Sequence, residues 1–204
     1  DQIEAEINLM LDMIQEAYKK FGFNDFWVRI STRDEKNKTK YIGAPKIWNE
    51  SEKVLLKLIV KRGLKQEIGK GEAAFYGPKL DFIFKDVLGR DWQLSTIQLD
   101  MNLPGRFKLE YTDENGKKQQ PIVLHRAILG STERFLGILI EHYAGAFPLW
   151  LAPEQIWILP VSDKSMEYAK SIQKQFARFR IQLRDENETL GKKIREGELQ
   201  KIPY

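Results

Sequence analysis

Ile3, Ile7, Met10, Leu11, Ile14 and Tyr18 recur at spacings of three and four, so residues 3–18 present one apolar face of an amphipathic helix. Gly22 stops that helix, and Phe26-Trp27-Val28-Arg29-Ile30 reads as a buried strand. Residues 31–46 are polar and rich in Lys and Arg, the pattern of a solvated loop. Asn49 with Glu52 three residues on resembles a helix-capping pair, and Val54, Leu55, Leu58 and Ile59 carry that helix to Gly63. Lys53, Lys57 and Lys61 line its other face, and a solvated surface explains them better than an RNA contact does.

From about residue 73 to 126 the period changes to two. Leu80, Phe82 and Phe84 alternate with Lys79, Asp81 and Lys85, and a second strand runs from Asp91 to Met101. Strands near 107–111 and 120–126 flank Asp113-Glu114-Asn115-Gly116, a hairpin turn signal. Consecutive strands joined by short turns imply an antiparallel sheet with helices, an α+β domain. A helix follows from about Gly130-Ser131 to Ala144, with Phe135, Leu136, Leu139, Ile140 and Tyr143 on its apolar face. Residues 145–153 carry two prolines and no charge and mark a boundary between a domain over 1–148 and one over 149–204. Beyond it, a strand at 155–160, a helix at 164–178, a short strand at 181–183 and a helix at 189–199 predict a parallel α/β unit. The pattern stops at Ile202-Pro203-Tyr204, where another strand is due, so this second unit is expected to be truncated.

Composition narrows the classes. Of 204 residues 42 % are apolar and 11 % aromatic, enough for a sizeable core and too many for a disordered chain. The absence of cysteine excludes a disulfide scaffold and any thiolate zinc site made by this chain alone, and two histidines leave little room for a self-contained metal cluster. A net charge of +4 from 33 basic and 29 acidic residues permits RNA binding without arguing for it. No apolar run is long enough to span a bilayer and no signal peptide opens the chain, which points to a soluble, cytoplasmic protein without membrane partners. The first residue is Asp1, so the chain is either processed or a fragment.

Three segments carry candidate chemistry. In the second strand the apolar phase slips at Ser95-Thr96, as a β-bulge would make it. After the slip Gln93, Ser95 or Thr96, Gln98 and Asp100 share one face, a row of amides and hydroxyls with no Lys. An ordinary solvent face is the plain alternative; the missing Lys favours a site for a small polar molecule. The helix start at Gly130-Ser131, with Arg134 in its first turn and Arg126 just before, has the makings of an anion site. The loop Gly71–Lys79, with Gly77-Pro78 and Tyr76, describes a chain bent tightly around a neighbour. His125 ends a strand beside the anion site, and His142 is read as structural.

Together, residues 71–82, Trp92-Gln93 through Thr96-Ile97-Gln98-Leu99-Asp100, and His125 to Phe135 resemble the threonyl-tRNA synthetase family, in its order and at its spacings. The resemblance runs over essentially the whole chain, from the helix after the second class-defining motif into the anticodon-binding domain, with landmarks at Leu183-Arg184-Asp185, Lys192–Arg195 and Ile202-Pro203-Tyr204. It implies a partial class II synthetase catalytic core followed by a truncated α/β anticodon-binding domain. It also implies threonine activation with ATP and Mg2+, transfer to tRNA(Thr), and a homodimer in the full-length enzyme. By resemblance, Arg134 and Lys79 are catalytic, and Gln93, Thr96, Gln98, Ser131 and Arg134 bind ATP. Tyr76, Gln98 and Ser131 touch the amino acid, and His125 is one of three protein ligands of a zinc ion, the Cys and second His lying before Asp1. Leu94-Ser95 departs from the family's Cys-Gly and Ala73 from its Gly, while the first two class-defining motifs and the editing domain are absent, so the fragment alone is expected to be inactive. The alternatives are a prolyl or seryl relative, or a non-catalytic synthetase-like protein that binds RNA or regulates a partner.

Overall fold

The first helix, α1 (Ile3–Phe21), buries Ile7, Leu11, Ile14 and Tyr18 and ends at Gly22, whose φ of 74° takes the left-handed cap. Phe23 then donates to the Tyr18 carbonyl at 2.8 Å, which closes the helix end. The computed structural model describes residues 2–37 and 39–204, and the chain forms two compact units, 1–138 and 139–204.

In the first unit α1 is followed by β1 (Phe26–Thr32), α2 (Pro45–Lys61), β2 (Gln66–Lys70), β3 (Lys79–Lys85) and β4 (Asp91–Asp100). A short helix α3 (Leu103–Arg106), the pair β5 (Tyr111–Thr112) and β6 (Lys118–Gln119), strand β7 (Val123–Ala127) and the first turns of helix α4 (Thr132–His142), which continues past residue 138, complete the series. The main sheet has the order β2-β1-β3-β4-β7. It is antiparallel except at one edge, where β2 runs parallel to β1. The α2 crossover makes that parallel return possible, since a tight hairpin cannot. Strand β2 has no signature in the sequence, since Gln66-Glu67-Ile68-Gly69-Lys70 lacks a period-two alternation of apolar residues, and in the structure it is largely exposed.

Both α1 and α2 pack on one side of this sheet, α1 on β4 and α2 on β1. Val28, Ile30, Leu80, Phe82, Ile97 and Leu99 are buried there with Leu55, Leu58 and Trp48 of α2. Each such side chain removed from water contributes roughly 1.5–3 kcal/mol before entropy is subtracted. The Tyr18 ring meets Phe26 at 5.0 Å and Phe82 at 6.3 Å, edge on.

Three local expectations change. Helix α2 starts at Pro45, so Asn49 and Glu52 lie inside it and do not cap it. They hold Arg33 instead: Asn49 Oδ1 accepts from Arg33 Nη2 at 2.6 Å, and Glu52 Oε1 accepts from the Arg33 backbone N–H at 2.9 Å. Residues 107–110 are not a strand, and the strand expected at 107–111 is reduced to its last residue, Tyr111, where β5 begins. The Asp100 carboxylate accepts from the Asn102 and Leu103 N–H groups and turns the chain into α3, leaving only the short β5–β6 ribbon around the expected turn. On α4, Ile138 and Leu139 are buried while Leu136 and Ile140 are about half exposed.

The bulge is present and sits one residue earlier than the sequence suggested. Asp81 pairs with Thr96 and Ile83 with Gln93, so Leu94 and Ser95 together oppose Phe82. The pairing phase on either side of it puts Gln93, Thr96, Gln98 and Asp100 on the side away from the helices.

The second unit contains β8 (Ile156–Ile158), α5 (Met166–Gln175), β9 (Ile181–Leu183) and α6 (Leu190–Leu199), with β8 and β9 parallel as expected. Thr189 caps α6, accepting from the Lys192 N–H. The Arg184 guanidinium lies 4.0 Å from the Trp157 ring centroid, and the Trp157 backbone N–H donates to the Tyr204 carbonyl at 2.8 Å. Among the described residues no helix is long and apolar enough to cross a membrane.

Candidate active site

The polar side of the sheet is built strand by strand. Arg29 and Ser31 come from β1, Lys79 and Asp81 from β3, Gln93, Thr96, Gln98 and Asp100 from β4, and His125 from β7. Register fixes their neighbours: Ser31 lies opposite Lys79, Arg29 opposite Asp81, Asp81 opposite Thr96, Lys79 opposite Gln98, and Gln98 opposite His125. Four strands, with side chains drawn from between Arg29 and His125, thus meet on one surface.

Its centre is Asp81, which is 0 % exposed. Its Oδ2 accepts from Ser31 Oγ and Lys79 Nζ, each at 2.7 Å, and from Arg29 Nη2 at 3.3 Å. Its Oδ1 accepts from Gln93 Nε2 at 2.7 Å and Thr96 Oγ1 at 3.0 Å. Arg29 Nη2 also donates to Gln93 Oε1 at 3.1 Å. Sequence reading missed Asp81, Arg29 and Ser31, since each looks like an ordinary polar residue of an alternating strand.

At the β7 end, His125 Nε2 lies 3.0 Å from Asp100 Oδ2, and the ring is 5.4 Å from that of Tyr76. The Tyr76 hydroxyl donates to Gln98 Oε1. Burial, followed by the negative charge of Asp100, raises the Tyr76 pKa above its ordinary value, so the phenol keeps its proton for that bond. Gly77 makes the loop fit: a Cβ there would lie 2.0 Å from the Leu99 carbonyl oxygen. Asn102 Nδ2 holds the Tyr76 carbonyl at 2.7 Å from the other side.

At the opposite end, Ser131 and Arg134 open α4. Gly130, at φ +73°, lies so close to β4 that a Cβ would come within 2.5 Å of the Leu94 carbonyl oxygen. Ser95 at the bulge donates to the Ile128 carbonyl and pins the same turn. Arg134 donates from Nη1 to the Gln93 carbonyl at 2.9 Å, and its guanidinium sits 6.0 Å from the Trp92 ring centroid. Arg126 does not join it. That side chain is on the helix side of the sheet, against Met13, because it neighbours His125 in a strand and must point the other way.

One surface therefore gathers Lys79, Gln93, Thr96, Gln98 and His125, with Tyr76 beside His125 and Ser131 and Arg134 at its rim. It offers two accessible kinds of chemistry: cationic and amide groups for an anionic ligand, and an imidazole beside a carboxylate. A cavity of about 520 Å³ lined by Arg33, Trp48 and Asn49 lies elsewhere, away from this convergence.

A structural or catalytic zinc ion takes three or four protein ligands. Among the described residues no three His, Cys, Asp or Glu side chains are grouped to hold one. His125 fits the part of a single ligand: Asp100 engages Nε2, Nδ1 has no hydrogen bond among the described residues, and the side chain is 42 % exposed.

Residues 1–143 match the family described as the tRNA synthetase class II core domain (G, H, P, S and T), and residues 155–204 match the anticodon binding domain. The threonine–tRNA ligase of Porphyromonas gingivalis is 50 % identical over 206 aligned residues, covering 100 % of this chain and 32 % of that protein. That of Acidobacterium capsulatum is 49 % identical, over 100 % and 30 %. A crystal structure of the RNA binding domain of threonyl-tRNA synthetase from Cryptosporidium parvum superposes with a TM-score of 0.90 at 38 % identity, covering 98 % of this chain and 50 % of that one. A putative threonyl-tRNA synthetase from Aeropyrum pernix gives 0.70 at 30 % identity, over 95 % and 49 %. The chain spans about a third of the length of the curated relatives it matches.

Proposed function

The chain belongs to the class II tRNA synthetase core family, and on that premise we propose that it serves a threonine–tRNA ligase. In this reading residues 1–148 are the later part of the catalytic domain and 149–204 the start of the anticodon-binding domain. The enzyme joins threonine to the AMP part of ATP with release of pyrophosphate and passes the threonyl group to tRNA(Thr) with release of AMP, as a homodimer in the cytoplasm. The observation that carries the reading is the convergence of Lys79, Gln93, Thr96, Gln98 and His125 on one sheet face, with Tyr76 and Arg134 beside it.

The chemistry needs little more than placement and charge. The threonine carboxylate attacks the α-phosphorus in line, and the barrier falls when the reactants are held and the developing charge is met by fixed donors. Lys79 and Arg134 supply positive charge toward the triphosphate, whose Mg2+ arrives with ATP. Ser131 and Gln98 line the nucleotide and amino acid, and Gln93 and Thr96 complete the nucleotide wall. Tyr76 closes over the amino acid beside Gln98.

His125 would hold zinc, its ring oriented by Asp100, with the remaining ligands supplied from outside this chain. When bound, the ion offers a Lewis-acidic point for the threonine amine and hydroxyl. That suits the selectivity problem, since an apolar pocket separates threonine from isosteric valine poorly whereas a site that must ligate a hydroxyl rejects its absence. Similarity to threonine–tRNA ligases along the whole chain favours this reading over the prolyl, seryl and non-catalytic alternatives.

The test is threonine-dependent ATP–pyrophosphate exchange by the full-length protein, with zinc measured by atomic absorption. About one zinc per subunit, and loss of exchange in His125→Ala, support the reading. Full activity in zinc-free protein overturns the zinc assignment, and exchange with another amino acid overturns the substrate. Residues 1–204 alone should show no exchange.

A further inference from the structure

Asp81 has no part in the chemistry above, yet it is fully enclosed and receives five donors from Arg29, Ser31, Lys79, Gln93 and Thr96. An ionised carboxylate offers about four lone-pair positions. Five donors therefore saturate it, and it has no lone pair left to ligate a cation bound on the face.

Its donors are the point. Lys79, Gln93 and Thr96 are the groups assigned to the nucleotide. Lys79 Nζ commits one N–H to Asp81 and keeps two for a ligand. Gln93 is held at both ends of its amide, accepting from Arg29 and donating to Asp81, so its orientation is set before any ligand arrives. Thr96 gives its proton to Asp81 and keeps its lone pairs. Two cations share one carboxylate, which leaves the cluster with a positive charge suited to a phosphate. Without Asp81 the lysine ammonium would swing on its four-carbon stem and the two cations would repel.

We propose that Asp81 is the positioning residue of this face: it aims Lys79 at the nucleotide phosphates and fixes Gln93 and Thr96 without touching substrate. The inference rests on the nucleotide reading of the site given above.

A double-mutant cycle in the full-length enzyme tests it. Lys79→Met is expected to lower kcat/KM for ATP in threonine-dependent exchange by about 10²-fold, and Asp81→Asn by at least about 10-fold, mainly in kcat. The double variant should then lie within about threefold of Lys79→Met alone, because a positioner loses most of its effect once the positioned group is gone. Asp81→Glu, which keeps the carboxylate, should recover part of the rate. Active-site titration by the adenylate burst separates slow molecules from missing ones. Losses that multiply overturn the proposal, as does a reduced titre with the rate per active site unchanged. If Asp81→Asn fails to fold, Asp81→Glu takes its place in the cycle. The same cycle read on equilibrium binding of a non-hydrolysable ATP analogue is indifferent to the amino acid activated, so an error in the threonine reading and an error in the positioning role give different results.

Discussion

Two buried aspartates, five residues apart on the same hairpin, are satisfied in opposite ways. Asp86, just past the end of β3, takes all its donors from the turn it begins: the Leu88 and Arg90 N–H groups, Arg90 Nε and Trp92 Nε1, none more than six residues away. Asp81 takes donors from β1 and β4 as well as from its own strand, with sequence separations up to 52. The first carboxylate closes a hairpin and can be satisfied as soon as that hairpin forms. The second is satisfied only when three strands are in register. A carboxylate supplied locally makes a turn; one supplied from across a sheet organises a surface.

Replacing Asp81 by Leu should have the largest effect. It strands Arg29 and Lys79 without their shared counter-ion, and losing one member of a buried ionic cluster costs about 3–5 kcal/mol, read by urea denaturation. An unchanged midpoint would remove the contrast between the two aspartates. Gly77→Ala comes next. Its methyl would meet the Leu99 carbonyl, an overpacking cost of about 1–3 kcal/mol, and displacement of Tyr76 should raise the KM for the amino acid in full-length enzyme.

Asp86→Asn should have a smaller effect on stability and none on the exchange rate per active site. Burial alone would raise the Asp86 pKa, but the hydrogen bonds from Trp92, Arg90 and Leu88 together outweigh it and hold it at about 2. Its contribution is therefore complete above the unfolded value of about 3.9 and is lost as pH falls through about 2. The variant should lose stability at neutral pH and show a shallower acid limb between those values, measured by thermal melts across the pH series. An equally steep limb would show that the local hydrogen bonds do not matter. Leu88→Lys, at a turn tip 70 % exposed, should change stability by no more than about 0.5 kcal/mol.

What could be read from the sequence follows the same division. The spacing of Ile7, Leu11, Ile14 and Tyr18 announces α1, and the phase slip in β4 announces the bulge, because each is a local periodicity. The second unit's alternation of strand and helix was legible for the same reason. Strand β2 was not, since its pairing with β1 depends on the α2 crossover rather than on its own residues. Asn49 and Glu52 have capping chemistry at capping spacing, but Pro45 starts the helix earlier and Arg33 claims both side chains. At the site, Gln93 and Gln98 could be placed on one face from the phase slip, but the pattern left Ser95 and Thr96 as alternatives; the position of the bulge puts Thr96 on that face and Ser95 on the other. Arg126 was misplaced when grouped with Arg134, as adjacent residues of a strand face opposite ways. Asp81 could not be singled out, because nothing in a Lys-Leu-Asp-Phe alternation says which strands will supply its donors.

The bulge in β4 has a consequence for how distance should be judged. On the helix side, Ser95 meets the Tyr18 hydroxyl at 2.8 Å, whose pKa burial pushes up to about 12. From the same residue a bond reaches the Ile128 carbonyl, two residues before the glycine from which α4 and Arg134 depart. A hydroxyl in the hydrophobic interior and an arginine at the rim of the opposite surface are thus joined by a single serine. In this domain a hydrogen-bonded route between core and surface runs through the sheet, so a repacking substitution in α1 that moves Tyr18 acts on a residue bonded to the turn that leads into α4.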